Sequence, residues 1–301
     1  MREMSQPTPF DRALLARRRR RALGKRVEGA DFLLASVCDD LGERLSTVKR
    51  EFETAVDLGG HAGLVTAMLQ ASPNVGTVIR ADLFCPDPAL SPPDVVMDDA
   101  FPPFANQSID LIVSALSLQW VNDLPGTLIQ IRRALRPDGL FLACLPGGDT
   151  LFELRDSLLQ AEAEVTGGAS PRVIPFAGTR DLGALLQRAG FALPVADQDT
   201  LTVRYDTMFG LVRDLRDMGA TNVLSERSLR PASRELFYRA AEIYARDHAD
   251  DDGRIRATFQ FVSLSGWAPH ESQQKPLKPG SAKMRLADAL GTQEMNPHAN
   301  R

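Results

Sequence analysis

Residues 54–63, T-A-V-D-L-G-G-H-A-G, constrain the fold more than any other stretch of the chain. Ala55, Val56 and Leu58 form an apolar run that carries one acidic residue, Asp57, and meets Gly59, Gly60 and Gly63. Residues 64–70 can then start a helix. Strand, glycine turn and helix in that order make a βα unit of the kind that binds a nucleotide or nucleoside. Glycine suits the turn because the backbone bends sharply and comes close to a ligand, where a Cβ would intrude. The helix behind it aims free N–H groups at the ligand. A tight turn that binds nothing has the same local pattern, so the rest of the chain has to decide.

The alternation continues downstream. Residues 77–81 read as a second strand ending at Asp82, 95–97 as a third ending at Asp98 and Asp99, and 109–115 as a fourth. Asn122 or Asp123 is placed to cap a helix with Pro125 in its first turn. The turn R-P-D-G at 136–139 stops that helix, and 140–145 is a continuous apolar run, as expected of a strand covered on both faces. Strands and helices at this spacing predict an α/β fold, a Rossmann-like, doubly wound parallel sheet. Upstream, residues 11–23 read as a helix carrying five consecutive arginines, Arg17 to Arg21. They are expected to form a solvated face, with a lid or a contact to an acidic partner as the sharper alternative. Asp31 is placed to cap a second helix. After Gly148 the pattern changes to helices at 151–165, 181–189, 208–218 and 233–247, with strands at 199–205 and 258–267. The expected organisation is an N-terminal helix and disordered arm (1–30), a cofactor-binding core (31–150), helical additions and final strands (151–270) and a flexible tail (271–301).

Composition excludes several classes. With 35 basic against 39 acidic residues, the net charge of −4 provides no general attraction to nucleic acid. Cys38, Cys85 and Cys144 are far apart and odd in number, which argues for a reducing compartment and against a disulfide framework or cysteine metal site. No apolar run reaches the roughly 18 residues of a membrane span.

The loops that follow the first four strands carry the candidate chemistry, at the sheet edge where open α/β folds bind ligands. Asp82 follows Gly63 by 19 residues, a spacing at which a carboxylate receives both ribose hydroxyls. Asp98 and Asp99 are placed to accept from an adenine amine, with Leu83 and Phe101 able to sandwich the ring. Ser114 ends the fourth strand beneath the expected position of a cofactor sulfur. The loop lacks G-x-G-x-x-G and any phosphate-binding lysine or arginine, so S-adenosylmethionine, which has no phosphate, fits better than a dinucleotide. Trp120 is a candidate pocket wall. His270 and Glu271 are candidate substrate contacts. No catalytic base stands out and no metal site is expected, because a non-haem iron site needs two converging histidines and a carboxylate.

Taken together, A-V-D-L-G-G-H-A-G, the acidic end of strand two, V-V-M-D-D-A-F-P-P-F, S-I-D-L-I-V-S-A-L-S-L-Q-W-V-N-D-L-P and I-R-R-A-L-R-P-D-G-L-F-L-A resemble a class I SAM-dependent methyltransferase of the type 11 group. P-G-G-D-T-L-F-E-L-R, G-G-A-S-P-R-V-I-P-F, D-L-G-A-L-L-Q-R-A-G-F and G-W-A-P-H-E-S-Q-Q-K-P are similar to the complex I assembly factor 5 subfamily. That subfamily is related to the malonyl-carrier-protein methyltransferase of biotin synthesis. The resemblance implies a Rossmann-like methyltransferase fold and bound S-adenosylmethionine. By position it makes Asp57, Gly59 and Gly63 the methionine-side loop, Asp82 the ribose contact, and Asp98 and Asp99 the adenine region. His61 stands where the usual loop has its middle glycine. The implied role is modification of a complex I protein subunit, by arginine hydroxylation or methylation of the quinone-proximal iron–sulfur subunit. The alternatives are malonyl-carrier-protein O-methylation and a non-catalytic, SAM-binding assembly chaperone. The implied place of action is the bacterial cytoplasm, or the mitochondrial matrix in a eukaryote, with membrane association only through the partner. Glu153, Asp156 and Glu271, each beside a shared motif, are the acidic candidates for meeting a basic substrate side chain.

Overall fold

The computed structural model describes residues 8–85, 92–274, 288 and 291. The expected disordered start and mobile tail fall largely outside these residues. The chain divides into two compact units, one ending at Pro269 and one beginning at His270.

The first unit is built on a seven-stranded sheet in the order β3-β2-β1-β4-β5-β7-β6. Its strands are β1 (Phe52–Leu58), β2 (Val75–Asp82), β3 (Val95–Val96), β4 (Ile109–Ala115), β5 (Leu135–Pro146), β6 (Ala192–Tyr205) and β7 (Ile255–Trp267). The first five are parallel, as the alternation predicts. The last two are antiparallel: β7 inserts between β5 and β6. The helices are α1 (Arg12–Lys25), α2 (Phe32–Ser46), α3 (Leu64–Ala71), α4 (Leu124–Ala134), α5 (Phe152–Thr166), α6 (Thr179–Ala189), α7 (Met208–Asp217) and α8 (Arg234–His248).

Two cores flank the sheet, and β5 shows why its sequence is apolar throughout. Leu140, Leu142 and Cys144 pack into the core beneath α2, α3, α5, α7 and α8. Phe141, Ala143 and Leu145 pack into the opposite core beneath α4 and α6. Period-two alternation places successive side chains on opposite faces, and both faces here are covered. β5 also begins five residues earlier than its apolar run, since Leu135 already pairs with Ile109 of β4 and the R-P-D-G segment is accommodated in the register shift between Ile109 and Leu111. Strand β6 begins at Ala192, seven residues before the alternating stretch, after a similar irregularity between Ala192 and Val195. Asp123 caps α4 by accepting from Gly126 N at 2.9 Å. Asp31 precedes α2 but makes no side-chain cap bond.

A third, smaller core lies over the carboxyl ends of the parallel strands. Leu15 of α1 packs there with Trp120, Ile174, Val223 and Leu224. Backbone bonds fasten the start of α1 to a distant loop, with Asp11 N donating to Val223 O at 2.8 Å and Ser225 N to Pro9 O at 2.9 Å. The segment expected to be an arm is therefore part of the compact first unit. The docking is close at Gly219, where φ is +73° and a Cβ would lie 3.1 Å from Arg19 Cα.

Gly219→Ala combines a left-handed backbone penalty of about 1–2 kcal/mol with that tight contact. Urea unfolding should show destabilisation of at least this size, with α1 becoming the first protease-sensitive helix. An unchanged midpoint would show that α1 is not held at this contact.

Candidate functional site

The carboxyl ends of β1, β2 and β4 bring together the loops that the sequence singled out. Gly59 and Gly63 take φ of +85° and +83°, and a Cβ on Gly59 would overlap the Ser117 hydroxyl. Beneath the loop lies Arg80, whose Nη2 donates to His61 O at 2.8 Å. Added bulk at Gly60 would lie 2.7 Å from Arg80 Cγ and 2.8 Å from Asp57 Oδ2. The loop is thus shaped by its own supports as well as by any ligand.

Two of the buried carboxylates at this edge each keep an oxygen without a partner. Asp57 Oδ2 accepts from the Thr66 hydroxyl at 2.6 Å, while Oδ1 is buried without a partner. Burial pushes its pKa up to about 6, against the hydrogen bond from Thr66 and the charge of Arg80. Asp82 Oδ1 accepts from Leu83 N at 2.6 Å, and its Oδ2 is likewise buried and unpartnered. Burial raises its pKa too, with the charge of Arg19 opposing. His61 adopts φ of +24°, which few side chains other than glycine tolerate. Burial, then the charges of Arg19 and Arg80, lowers its pKa to about 3, so the ring is neutral, and Nδ1 has no partner.

Helix α1 roofs the site. Arg12 forms ion pairs with both Asp98 and Asp99, at 2.7 Å to Asp98, and donates to Trp120 O at 3.1 Å. Asp99 also accepts from Ser117 Oγ at 2.7 Å. Arg19 is buried and donates to Leu116 O at 3.0 Å. Arg18 donates to Asn222 O, and Arg20 lies over the Phe84 ring at 5.6 Å. Of the five-arginine run only Arg17, Arg20 and Arg21 are exposed. The solvated-face expectation is corrected for Arg18 and Arg19, and the lid alternative describes α1 better.

Beside the loop opens a cavity of about 950 Å³. His61, Leu116, Trp120 and Arg19 line the end nearest the sheet edge, with Leu154, Leu158, Phe259 and Phe261 in the apolar part. Its wall also carries Arg18, Arg172 and Arg216. Arg172 pairs with Glu162 at 2.6 Å.

The other candidates are distributed as follows. The Ser114 hydroxyl donates to Leu58 O at 2.8 Å, which commits it to the sheet, and it is Ala115 and Leu116 that reach the cavity. Leu83 packs on the small α1 core, while Phe101 is 66% exposed, so the two do not form a sandwich. Trp120 is both core and wall, edge-on to Phe10 at 5.9 Å. Glu153 is buried and accepts from the Thr258 hydroxyl at 2.5 Å, and it does not line the cavity. His270 and Glu271 belong to the second unit, where both are exposed and His270 Nδ1 lies 2.6 Å from Ser272 Oγ. Among the described residues no three His, Cys, Asp or Glu side chains gather as a metal site would require.

Sequence reasoning missed Arg12, Arg19, Arg80 and Ser117. A signal for two of them was present: Arg12, Leu15, Arg19 and Ala22 follow helical spacing and share one face of α1. The run of five arginines masked it.

A methyltransferase-domain family profile matches residues 21–194. The chain is 37% identical over 274 residues to the mouse protein named arginine-hydroxylase NDUFAF5, mitochondrial, covering 89% of this chain and 79% of that one. The Dictyostelium discoideum protein of the same name is 47% identical over 197 residues, which span 65% of this chain and 45% of its own. Malonyl-[acyl-carrier protein] O-methyltransferase of Laribacter hongkongensis is 31% identical, covering 90% and 91% of the two chains. Among solved structures, the YcgJ protein of Bacillus subtilis shares the fold with a TM-score of 0.52 at 15% identity, covering 76% of this chain and 98% of that one.

Two outcomes follow from the carboxylates. Asp82→Ala should weaken S-adenosylhomocysteine binding by about 2–4 kcal/mol, the loss of two hydrogen bonds to a charged acceptor. Calorimetry measures it, and an unchanged dissociation constant at an unchanged melting temperature would leave Asp82 a turn residue. For Asp57, the folded pKa of about 6 lies above the ordinary 3.8. The native state therefore binds more protons in that window, and stability falls as pH rises from 3.8 to about 6. Relative to Asp57→Asn, which cannot ionise, the parent should lose urea stability across this window. Parallel curves would show that Asp57 has no raised pKa.

Proposed function

The chain belongs to the methyltransferase domain family, and from that premise we propose that it binds S-adenosylmethionine at this sheet edge and modifies a protein substrate in respiratory complex I assembly. The observation that carries the cofactor reading is Asp82 Oδ2, an acceptor held out of water with no donor. Such an atom is costly to bury unless a ligand supplies the donor, and a ribose diol does so. The residues fit the cofactor at this point and along the cavity end lined by His61 and Leu116. When bound, S-adenosylmethionine supplies an electrophilic methyl group. Asp82 orients the ribose, and Asp98, the more exposed of the acidic pair, accepts from the adenine amine beside Arg12. Helix α1 and Trp120 exclude water from above.

The substrate reading rests on the likeness to the mouse arginine-hydroxylase, which extends over 89% of the chain, well beyond the methyltransferase-domain match. The proposed target is the quinone-proximal iron–sulfur subunit, by arginine hydroxylation or methylation. Among the described residues no helix is long and apolar enough to cross a membrane, so membrane association is through this partner. The proposed compartment is the bacterial cytoplasm, or the matrix in a eukaryote.

A second reading, O-methylation of a malonyl-carrier protein, is favoured by one observation. The cavity wall carries Arg18, Arg172 and Arg216 around an apolar interior, which suits an anionic acyl group better than a guanidinium. Intact-mass analysis of the iron–sulfur subunit, with and without the gene, separates the two. A gene-dependent gain of one oxygen is the expected result for hydroxylation, and a gain of one methylene for methylation. An unmodified subunit with biotin auxotrophy on deletion would transfer the assignment to the second reading. An unmodified subunit without auxotrophy, but with failed complex I assembly, would make the protein a SAM-binding chaperone.

A further inference from the structure

Arg19 has no role in the reading above, yet it is buried, which is unusual for an arginine. Its side chain is buried, and its one hydrogen bond among the described residues goes to Leu116 O. No carboxylate pairs with it, whereas Arg12 on the same face holds two. A guanidinium has five N–H donors, and burying it without an anion is unfavourable. The side chain lines the cavity together with His61, Ala62, Ala115 and Leu116, at the methionine end of the proposed cofactor site.

The cofactor's α-carboxylate needs donors at that end, and the usual sources are already committed. Gly59 N and Gly60 N both donate to Ala81 O, at 2.9 and 3.1 Å, and Gly63 N donates to Gly60 O at 2.6 Å. At the N-terminus of α3, otherwise an anion site, Asp57 already stands against the first turn and accepts from the Thr66 hydroxyl. The His61 ring is neutral and lies by the Met218 backbone, so it carries no charge to offer.

We propose that Arg19, delivered from α1 across the sheet edge, is the receptor for the α-carboxylate of the bound S-adenosylmethionine. This rests on the cofactor reading given above. The glycine loop then shapes the site but does not anchor the anion, which explains how His61 is tolerated at its centre. It also couples roof to ligand: α1 is fastened at the adenine corner by Arg12 and at the methionine end by Arg19. Seven residues separate the two arginines, two helical turns, so one face of α1 spans the cofactor.

The test compares S-adenosylhomocysteine with 5′-methylthioadenosine, which keeps the adenosine and thioether but lacks the amino-acid carboxylate. Calorimetry is run on the full chain as the parent, Arg19→Gln, Arg19→Lys and Arg17→Ala, each checked for an unchanged melting temperature. Arg19→Gln should weaken S-adenosylhomocysteine by about tenfold or more, the loss of a charge-assisted bond. Its affinity for methylthioadenosine should stay within about twofold of the parent's, since that ligand has no carboxylate to lose. Arg19→Lys should recover part of the loss, and the exposed Arg17→Ala should bind both ligands as the parent does. Equal weakening of both ligands by Arg19→Gln would overturn the proposal, because it would show that Arg19 acts only by seating α1. So would unchanged binding of S-adenosylhomocysteine. A parent that binds neither ligand would overturn the cofactor reading itself, a result distinct from either.

Discussion

Negative charge gathered at one sheet edge is the constraint on which the rest of this structure depends. Asp57, Asp82 and Asp99 are all buried at the carboxyl ends of neighbouring parallel strands. Buried carboxylates close to one another raise each other's pKa and destabilise the fold unless cations answer them. The answer comes from two directions: Arg80 lies beneath the glycine loop, and α1 brings Arg12 and Arg19 over the top. A helix far away in sequence becomes obligatory to the site because of this charge.

The balance is deliberately incomplete. Asp99 is fully engaged by Arg12 and Ser117, but Asp57 and Asp82 each retain one buried oxygen without a donor. Arg19 is the complementary case, a buried cation that feels the charge of Asp82 but has no carboxylate at ion-pair distance among the described residues. The unpaired state of these groups is the cost of a site organised before its ligand arrives.

The cavity beside it places a different demand on chemistry. Its interior is apolar and its wall cationic, and Glu153, the nearest acidic candidate on α5, is turned into the β7 backbone at Thr258. Strand β7 and helices α5, α7 and α8 contribute walls to this volume. They account for the chain beyond the five parallel strands, and they distinguish this protein from a minimal nucleoside-binding domain.

Much of the scaffold was legible from residues alone. Glycine chemistry at 59–63, acidic residues at strand ends and the apolar run at 140–145 are local signals with local causes, so they placed the five parallel strands and the acidic end of the second. β7 between β5 and β6 was not legible, because strand order and direction are set by pairing between segments over 100 residues apart. The fate of the arginine run was not legible either: exposure and burial differ between Arg17 and Arg19 only because one face of α1 meets the sheet edge. Ser114 shows the converse, a plausible site residue whose hydroxyl the neighbouring strand claims. The sequence by itself determined an α/β unit with a phosphate-free nucleoside site, since backbone turns and strand periodicity are short-range. Only the tertiary structure decided which charges meet, because desolvation and pairing depend on what lies within a few ångströms, whatever the distance along the chain.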